Sequence, residues 1–240
     1  MLDFHTHILP GIDDGSRDVK TSCEMIKMLS NQGVDAFVAT PHFRFDEMSF
    51  ERFLSNRNKS VQQLLNALEE ENIKERPKLS LGAEVRFFYG MNTFDHIDKL
   101  CIKGTRFILI EMPFRNWTRE MYHTLASLKR NREIIPVIAH IERYLSFNAR
   151  RAMVMNLQKT GALIQANTAF FKSGLTRTFA FDMMKDGFIQ FIGTDCHNLD
   201  KRKPDFDDAV KYLSKKKKGL YLDDLRFWES AFFDANPELL

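Results

Sequence analysis

Apolar runs of four to eight residues recur along the whole chain, at Leu2–His7, Asp35–Thr40, Leu79–Val85, Phe107–Met112, Ile134–Ala139, Ala162–Ala166 and Phe188–Gly193. Several are apolar at successive positions, as in Phe107-Ile108-Leu109-Ile110. That is how a parallel strand buried on both faces reads. The segments between the runs carry helical spacing instead. Cys23, Ile26 and Leu29 recur every third residue, Val61, Leu64, Leu65 and Leu68 follow the i, i+3, i+4, i+7 rule, and Met121, Leu125 and Leu128 repeat it. Ala152, Met155 and Leu157 approximate it. Gly33, Gly161, Gly187 and Gly219 fall where glycines close helices ahead of the next run.

Strand and helix alternating throughout predicts an α/β fold with a parallel sheet, either an open doubly wound sheet or a closed ring of seven β/α units. No shift in composition divides the chain, so one domain over 1–240 is expected. A short helical tail at about 225–240 would carry Phe227, Trp228, Ala231, Phe232 and Phe233 onto the body. The Lys215–Lys218 run reads as a solvated helix end. No Gly-rich dinucleotide or P-loop fingerprint follows the first run, which weakens a Rossmann or NTPase reading.

Composition narrows the classes further. A net charge of +3 over 240 residues does not make a nucleic-acid-binding surface. Three scattered cysteines give neither a disulfide framework nor a CxxC zinc site, and they fit reduced thiols in the cytoplasm. No apolar run approaches the roughly 18 residues of a bilayer span, so direct membrane insertion is not expected. The opening Met1-Leu2-Asp3-Phe4-His5 has neither basic nor apolar leader character.

The chemistry sits at the ends of the runs. His5 and His7 close the first, two apart and on one side of a strand. His42 follows the second, Glu84 ends the third, Glu111 the fourth and His140 the fifth, while Asp195 and His197 follow the last. Asp13 and Asp14 lie in the loop after the first run. In a parallel α/β sheet all carboxyl ends open on one face, where active sites form. Imidazoles and carboxylates converging there are a ligand set for Zn, Mn or Fe(II). They outnumber the donors one ion needs, so two or three ions are expected. A single His or Glu at a strand end has an ordinary structural explanation, but the joint pattern is a poor match to chance. His96 and His123 fall off the strand ends and receive no role.

The run Asp3-Phe4-His5-Thr6-His7-Ile8-Leu9-Pro10-Gly11-Ile12-Asp13-Asp14-Gly15 resembles the opening motif of the polymerase-and-histidinol-phosphatase (PHP) superfamily. Its longer form is similar to the metal-dependent bacterial protein-tyrosine phosphatases of capsule and exopolysaccharide operons. Thr40-Pro41-His42, Gly82-Ala83-Glu84-Val85-Arg86, Glu111-Met112-Pro113, His140-Ile141-Glu142-Arg143-Tyr144, Gln165-Ala166-Asn167 and Gly193-Thr194-Asp195-Cys196-His197 extend the likeness in order. The resemblance implies a distorted (β/α)7 barrel with a trinuclear centre, usually Mn and sometimes Fe, Zn or Mg. Carried over, His5, His7, Glu84 and Asp195 would hold one ion; Glu84 as a bridge, with Glu111 and His140, a second; Asp14, His42 and His197 a third. Arg143 and Arg202 match positions that contact phosphate. Phe43 departs from the pattern, which usually has a second His there. The implied substrate is the phosphotyrosyl tail of a membrane-associated bacterial tyrosine kinase, and a homo-oligomer is compatible with the resemblance.

Three alternatives stand beside this reading. Cys196 and Arg202 nominally satisfy Cys-x5-Arg, the loop of thiolate phosphatases, although His197-Asn198-Leu199-Asp200-Lys201 between them lacks glycine and carries an acid. A histidinol-phosphate or other small-phosphoester phosphatase of the same superfamily is the second. A non-catalytic PHP module is the third.

Overall fold

The computed structural model describes residues 1–71, 76–146, 150–172, 174, 176–215 and 220–235. Among these residues the strands, in chain order, are β1 (Leu2–Thr6), β2 (Ala36–Ala39), β3 (His42–Phe43), β4 (Lys78–Leu81), β5 (Glu84–Arg86), β6 (Phe107–Glu111), β7 (Ile135–Ile138), β8 (Leu163–Asn167) and β9 (Phe191–Gly193). The third apolar run is thus split, and a short extra strand follows the second. Pro41, with no N–H for the ladder, separates β2 from β3, and Gly82-Ala83 separate β4 from β5. Counting β2 with β3 and β4 with β5 as one stave each leaves the seven that the sequence predicts.

Every neighbouring pair runs parallel, in the order β1-β2-β4 and then β3-β5-β6-β7-β8-β9. The first and last staves meet as well: Asp195 N–H donates to His5 O at 2.8 Å and His7 N–H to Cys196 O at 2.9 Å. The ring therefore closes as a distorted (β/α)7 barrel. The helices are α1 (Val19–Asn31), α2 (Phe50–Glu70), α3 (Arg119–Arg132), α4 (Arg150–Thr160), α5 (Thr168–Lys172), α6 (Arg177–Lys185), α7 (Phe206–Lys215) and α8 (Leu220–Ala235). Asp18, Ser49 and Thr118 cap the first three through their side-chain oxygens. Gly33, Gly161 and Gly187 follow helices with positive φ, as expected; Gly219 and Lys216–Lys218 lie outside the described residues.

Two apolar layers hold the ring. The larger lies between strands and helices and takes the predicted stripes of α1, α2 and α3. On α4 the stripe differs from the expected one: Met153, Val154 and Leu157 are buried, while Ala152 and Met155 face solvent. The smaller layer fills the barrel with Leu2, Phe4, Val38, Phe107, Leu109, Val137 and Phe191, and Phe232 of α8 joins it. Phe4 stacks on Phe191 with ring centres 3.9 Å apart, and Phe232 meets Phe4 edge-on at 5.8 Å. The C-terminal helix begins before the expected tail. Phe232 is its buried anchor and Phe227 is exposed.

One irregularity decides where the chemistry goes. Between Asp3 and Thr6, β1 carries one more residue than its partner β2, whose register runs Asp3 to Phe37 and then Thr6 to Ala39. Such a bulge reverses inward–outward parity. Below it Leu2 and Phe4 point into the apolar plug; above it His5 and His7 point inward.

Candidate metal centre

All nine predicted ligands converge at the carboxyl ends of the staves. The tightest group is the first one implied by the resemblance. Glu84 Oε2 lies 3.2 Å from His5 Nε2 and 3.1 Å from His7 Nε2, and Asp195 Oδ1 lies 3.6 and 3.5 Å from the same atoms. Donors about 2.0–2.2 Å from a common ion sit at such separations from each other. In the second group His140 Nε2 is 2.8 Å from Glu84 Oε1 and 3.7 Å from Glu111 Oε1. In the third, Asp14 Oδ1 is 3.3 Å from His42 Nε2 and 3.8 Å from His197 Nε2. His42 also turns Nδ1 to Glu84 Oε2 at 3.0 Å, so it stands between the second and third groups. The split of β2/β3 and β4/β5 produces this contact, because β3 and β5 pair with His42 directly opposite Glu84.

Backbone geometry aims several of these groups. His140 and Asp195 adopt left-handed conformations, with φ of 34° and 54°, rare for residues bearing a Cβ and typical of functional sites. Gly193 leaves room for His5: a Cβ there would lie 2.6 Å from His5 Cβ and 2.9 Å from its backbone nitrogen. Gly193→Ala is accordingly expected to destabilise the fold by about 2 kcal/mol, the scale of core overpacking. A melting curve several degrees below that of the unsubstituted protein would register it; an unchanged Tm would show that β1 can yield.

Polar groups beside the candidate ligand atoms fix three of the imidazole tautomers. His7 Nδ1 donates to Asp13 Oδ2 at 2.8 Å, His5 Nδ1 to Gln165 Oε1 at 3.2 Å, and His197 Nδ1 to the Asp195 carbonyl at 2.9 Å. Each ring is left presenting Nε2 to the centre, the arrangement metal-ligating histidines need. Gln165 Oε1 also accepts from the His140 backbone at 2.7 Å, its amide donates to Asn167 Oδ1 at 3.0 Å, and Asn167 donates to Asp195 Oδ2 at 3.1 Å. Asp3 ties β1 to β9 by accepting from Thr194 N–H at 2.9 Å and its hydroxyl at 2.6 Å. In the sequence Asp13 stands beside Asp14 in the first loop, and Asp3, Gln165 and Asn167 fall within the matching motifs, but nothing there assigns any of them this orienting role. Polar residues at alternate positions ending β8 were a signal of the same kind as His-x-His.

The electrostatics are those of charges crowded in a dry interior. Burial alone would depress the His7 imidazole, but Asp13 and Glu84 outweigh it and lift its pKa to about 10. Burial would raise Glu84, yet the imidazoles of His5, His140 and His42 hold it well below the usual carboxylate range. His197 goes the other way, down to about 3, through burial and the neighbouring His7 cation. Glu84 Oε2, His140 Nδ1 and His197 Nε2 are buried without a hydrogen bond of acceptable geometry. Donors spaced for a shared cation, with imidazoles and carboxylates interleaved, fit divalent ions whose charge would take the place of the proton that His7 otherwise carries.

Arg143 and Arg202 reach the centre from its rim. Arg143 Nη2 pairs with Asp195 Oδ2, and Arg202 Nη2 lies 2.8 Å from Asp195 Oδ1. Both guanidinium groups remain about one-third exposed, at 35% and 37%. The thiolate alternative fails on position. Cys196 is fully buried, and burial with Asp3 nearby pushes its thiol well above its ordinary value. Phe43, the departure from the family pattern, is a core residue, its ring 5.1 Å from that of Phe53. His96 stacks on Phe50 at 4.7 Å, outside the cluster.

With this geometry in place, comparison with known proteins gives one answer. The family described as capsular polysaccharide synthesis, CpsB/CapC, matches residues 1–231. The chain belongs to that family. It is 30% identical to the tyrosine-protein phosphatase YwqE of Bacillus subtilis (strain 168) over 224 residues, covering 90% of this chain and 85% of the relative. It is 28% identical to the tyrosine-protein phosphatase CpsB of Streptococcus agalactiae serotype III (strain NEM316), covering 90% of each chain. The crystal structures of YwqE and of Streptococcus pneumoniae CpsB, described as unique metal-dependent tyrosine phosphatases, provide a structural match. It has a TM-score of 0.82 at 27% identity, covering 95% of this chain and 93% of that one. A chain of an archaeal ribonuclease P complex shares the fold alone, with a TM-score of 0.59 at 16% identity over 98% of this chain and 91% of that one. No helix among the described residues is long and apolar enough to cross a membrane.

Proposed function

We propose that this CpsB/CapC family protein is a metal-dependent protein-tyrosine phosphatase acting in capsular or extracellular polysaccharide synthesis. Its substrate in this reading is the phosphorylated, tyrosine-rich tail of a membrane-associated bacterial tyrosine kinase. The observation that carries the proposal is Glu84, a buried carboxylate with ring nitrogens of four histidines within 3.2 Å of its two oxygens, in a family whose named relatives are tyrosine phosphatases. The three free, buried cysteines support a reducing, cytoplasmic setting.

His5, His7, Glu84 and Asp195 would hold one ion, Glu84, Glu111 and His140 a second, and Asp14, His42 and His197 a third, with Mn the favoured metal. Bound ions would supply Lewis acidity toward phosphoryl oxygens and bring the pKa of coordinated water from 15.7 toward about 7. This chain's own residues do the rest. Asp13, Gln165 and the Asp195 carbonyl keep three imidazoles in the ligating tautomer. Arg143 and Arg202 offer planar N–H donors to the phosphate, where charge builds as the P–O bond breaks. The phenolate leaving group, of pKa about 10, demands less proton donation than an alkoxide would.

The test is elemental analysis of the purified protein beside turnover of a phosphotyrosyl peptide. Two or three divalent ions per chain are expected, with activity lost in EDTA and restored by Mn. Cys196→Ser should keep most of the activity, since its buried thiol faces no substrate. Full activity in metal-stripped protein, or inactivity of Cys196→Ser that folds normally and binds its metals, would overturn the proposal.

A further inference from the structure

From one face, α2 fastens three of the segments that carry candidate ligands. Phe53, Arg57 and Ser60 stand four and then three residues apart, the spacing that puts side chains on the same side of a helix. Phe53 lays its ring 5.1 Å from that of Phe43, the neighbour of His42. Ser60 donates to the Pro10 carbonyl at 2.7 Å, at the head of the loop bearing Asp13 and Asp14. Between them, Arg57 donates from Nη1 to the Gly82 carbonyl at 2.7 Å, two residues before Glu84.

A guanidinium is costly at that position. Burial alone brings the Arg57 pKa down to about 10, and no acid pairs with it among the described residues. Its Nε is buried without a hydrogen bond, Nη2 reaches only the Lys99 carbonyl at 3.5 Å, and the group lies over the Phe53 ring, 5.3 Å from its centre. A buried cation without a countercharge works against stability, and an apolar side chain of similar length would cost less there. What the guanidinium supplies is a donor at the break between β4 and β5. The Gly82 N–H still follows the ladder, to the Ala39 carbonyl at 2.9 Å, whereas among the described residues no backbone N–H reaches the Gly82 carbonyl. Arg57 satisfies the group that the break leaves over.

We infer that Arg57 is a positioning residue of the metal centre: it closes the β4–β5 break at Gly82 and rests on Phe53 against Phe43, so that Glu84 stays opposite His42. Those two residues are paired across β3 and β5, with His42 Nδ1 3.0 Å from Glu84 Oε2. Arg57 acts on them through Gly82 and Phe53. The inference deepens the metal-centre reading proposed above and rests on it.

Arg57→Met tests this, because methionine keeps an apolar stem and removes both the donor and the unpaired charge. The Mn-loaded protein is titrated with EDTA well below its Tm, and bound Mn, Tm and kcat/KM on a phosphotyrosyl peptide are read. Arg57→Met should release its ions at about tenfold lower chelator concentration, the lower end of what losing an orienting partner costs a metal site, and kcat/KM should fall in step. Arg57→Lys, whose ammonium can still donate to the Gly82 carbonyl, should recover most of both. Leu68→Ala, buried toward the far end of the same helix, is the control and should lower Tm without loosening the ions. Arg57→Gln, too short to span to Gly82, carries the same expectation in case Arg57→Met does not fold. Ions held as firmly in the Arg57 variants as in the unsubstituted protein, or loosened equally in Leu68→Ala, would overturn the inference, since Arg57 would then only stabilise α2. An unsubstituted protein that holds its ions but leaves the peptide intact would sink the phosphatase reading, while the chelator series still decides on Arg57. One that binds no ions would sink both.

Discussion

Glu84→Gln is expected to lower kcat/KM on a phosphotyrosyl peptide by about a thousandfold, equivalent to about 4 kcal/mol of barrier, and to lower the metal content. Losing a residue that only orients a ligand weakens metal sites 10–100-fold; Glu84 would contribute both its oxygens directly, to two ions at once. Oε2 faces His5, His7 and His42, and Oε1 faces His140. Glutamine preserves the shape, yet one oxygen becomes an NH2 that can only donate, and the negative charge is gone. Whichever way the amide turns, one nest of imidazoles meets a donor where it needs an acceptor. Glu84 is buried at the edge of β5 with its backbone bonded to Pro41 O at 3.0 Å, so the variant should still fold. Elemental analysis with steady-state kinetics checks the outcome. A Glu84→Gln protein that keeps its full complement of ions and its turnover would show that the carboxylate is structural, and the assignment of the centre would fall.

Why Glu84 could be picked from the sequence, and Gln165 was not, is a matter of what burial leaves visible. A strand sandwiched between barrel plug and helices must be apolar on both faces, so an ionisable residue closing such a run stands out. Six such endings pointed to one rim, and the closed ring of staves brings them there. The bulge in β1 left no mark of that kind. An added residue changes parity without changing composition, and neither Phe4 nor His5 announces that both face inward. The break at Gly82-Ala83 was hidden for a similar reason, since its run stayed apolar across it, and the two-residue β3 beyond Pro41 was too short to show as a run, though these breaks are what set His42 opposite Glu84. On α4, period counting chose Ala152 and Met155, but the helix packs against α3 and buries Met153 and Val154 in the core instead. Gln165 and Asn167 mark the end of β8 in the sequence, but a neutral amide does not declare what it bonds. The role of Gln165 comes from bonding two histidines at once, which only the folded chain displays.

Arg143→Lys should retain every ion and still lose about a hundredfold in kcat/KM, the scale of removing one oriented donor from developing negative charge. Lysine keeps the positive charge, so what is tested is the planar fork that can grip two phosphate oxygens together. The position is favourable for that role. Arg143 rides on the short 3-10 turn Ile141–Tyr144, which the left-handed backbone of His140 launches toward the rim, and it already pairs with Asp195 there. Arg202 reaches the same carboxylate from a loop whose turn is closed by Asn198 Oδ1 accepting the Arg202 N–H at 3.0 Å. That loop carries no candidate ligand after His197, so its guanidinium is less firmly aimed and Arg202→Lys should lose only about tenfold, below the full effect of an oriented donor. Metal analysis separates this prediction from the one on Glu84: equal ion content with unequal turnover places Arg143 on the phosphate. If Arg143→Lys were instead to shed metal, its pairing with Asp195 would be the function of the side chain, and the phosphate would have to be gripped by Arg202 alone.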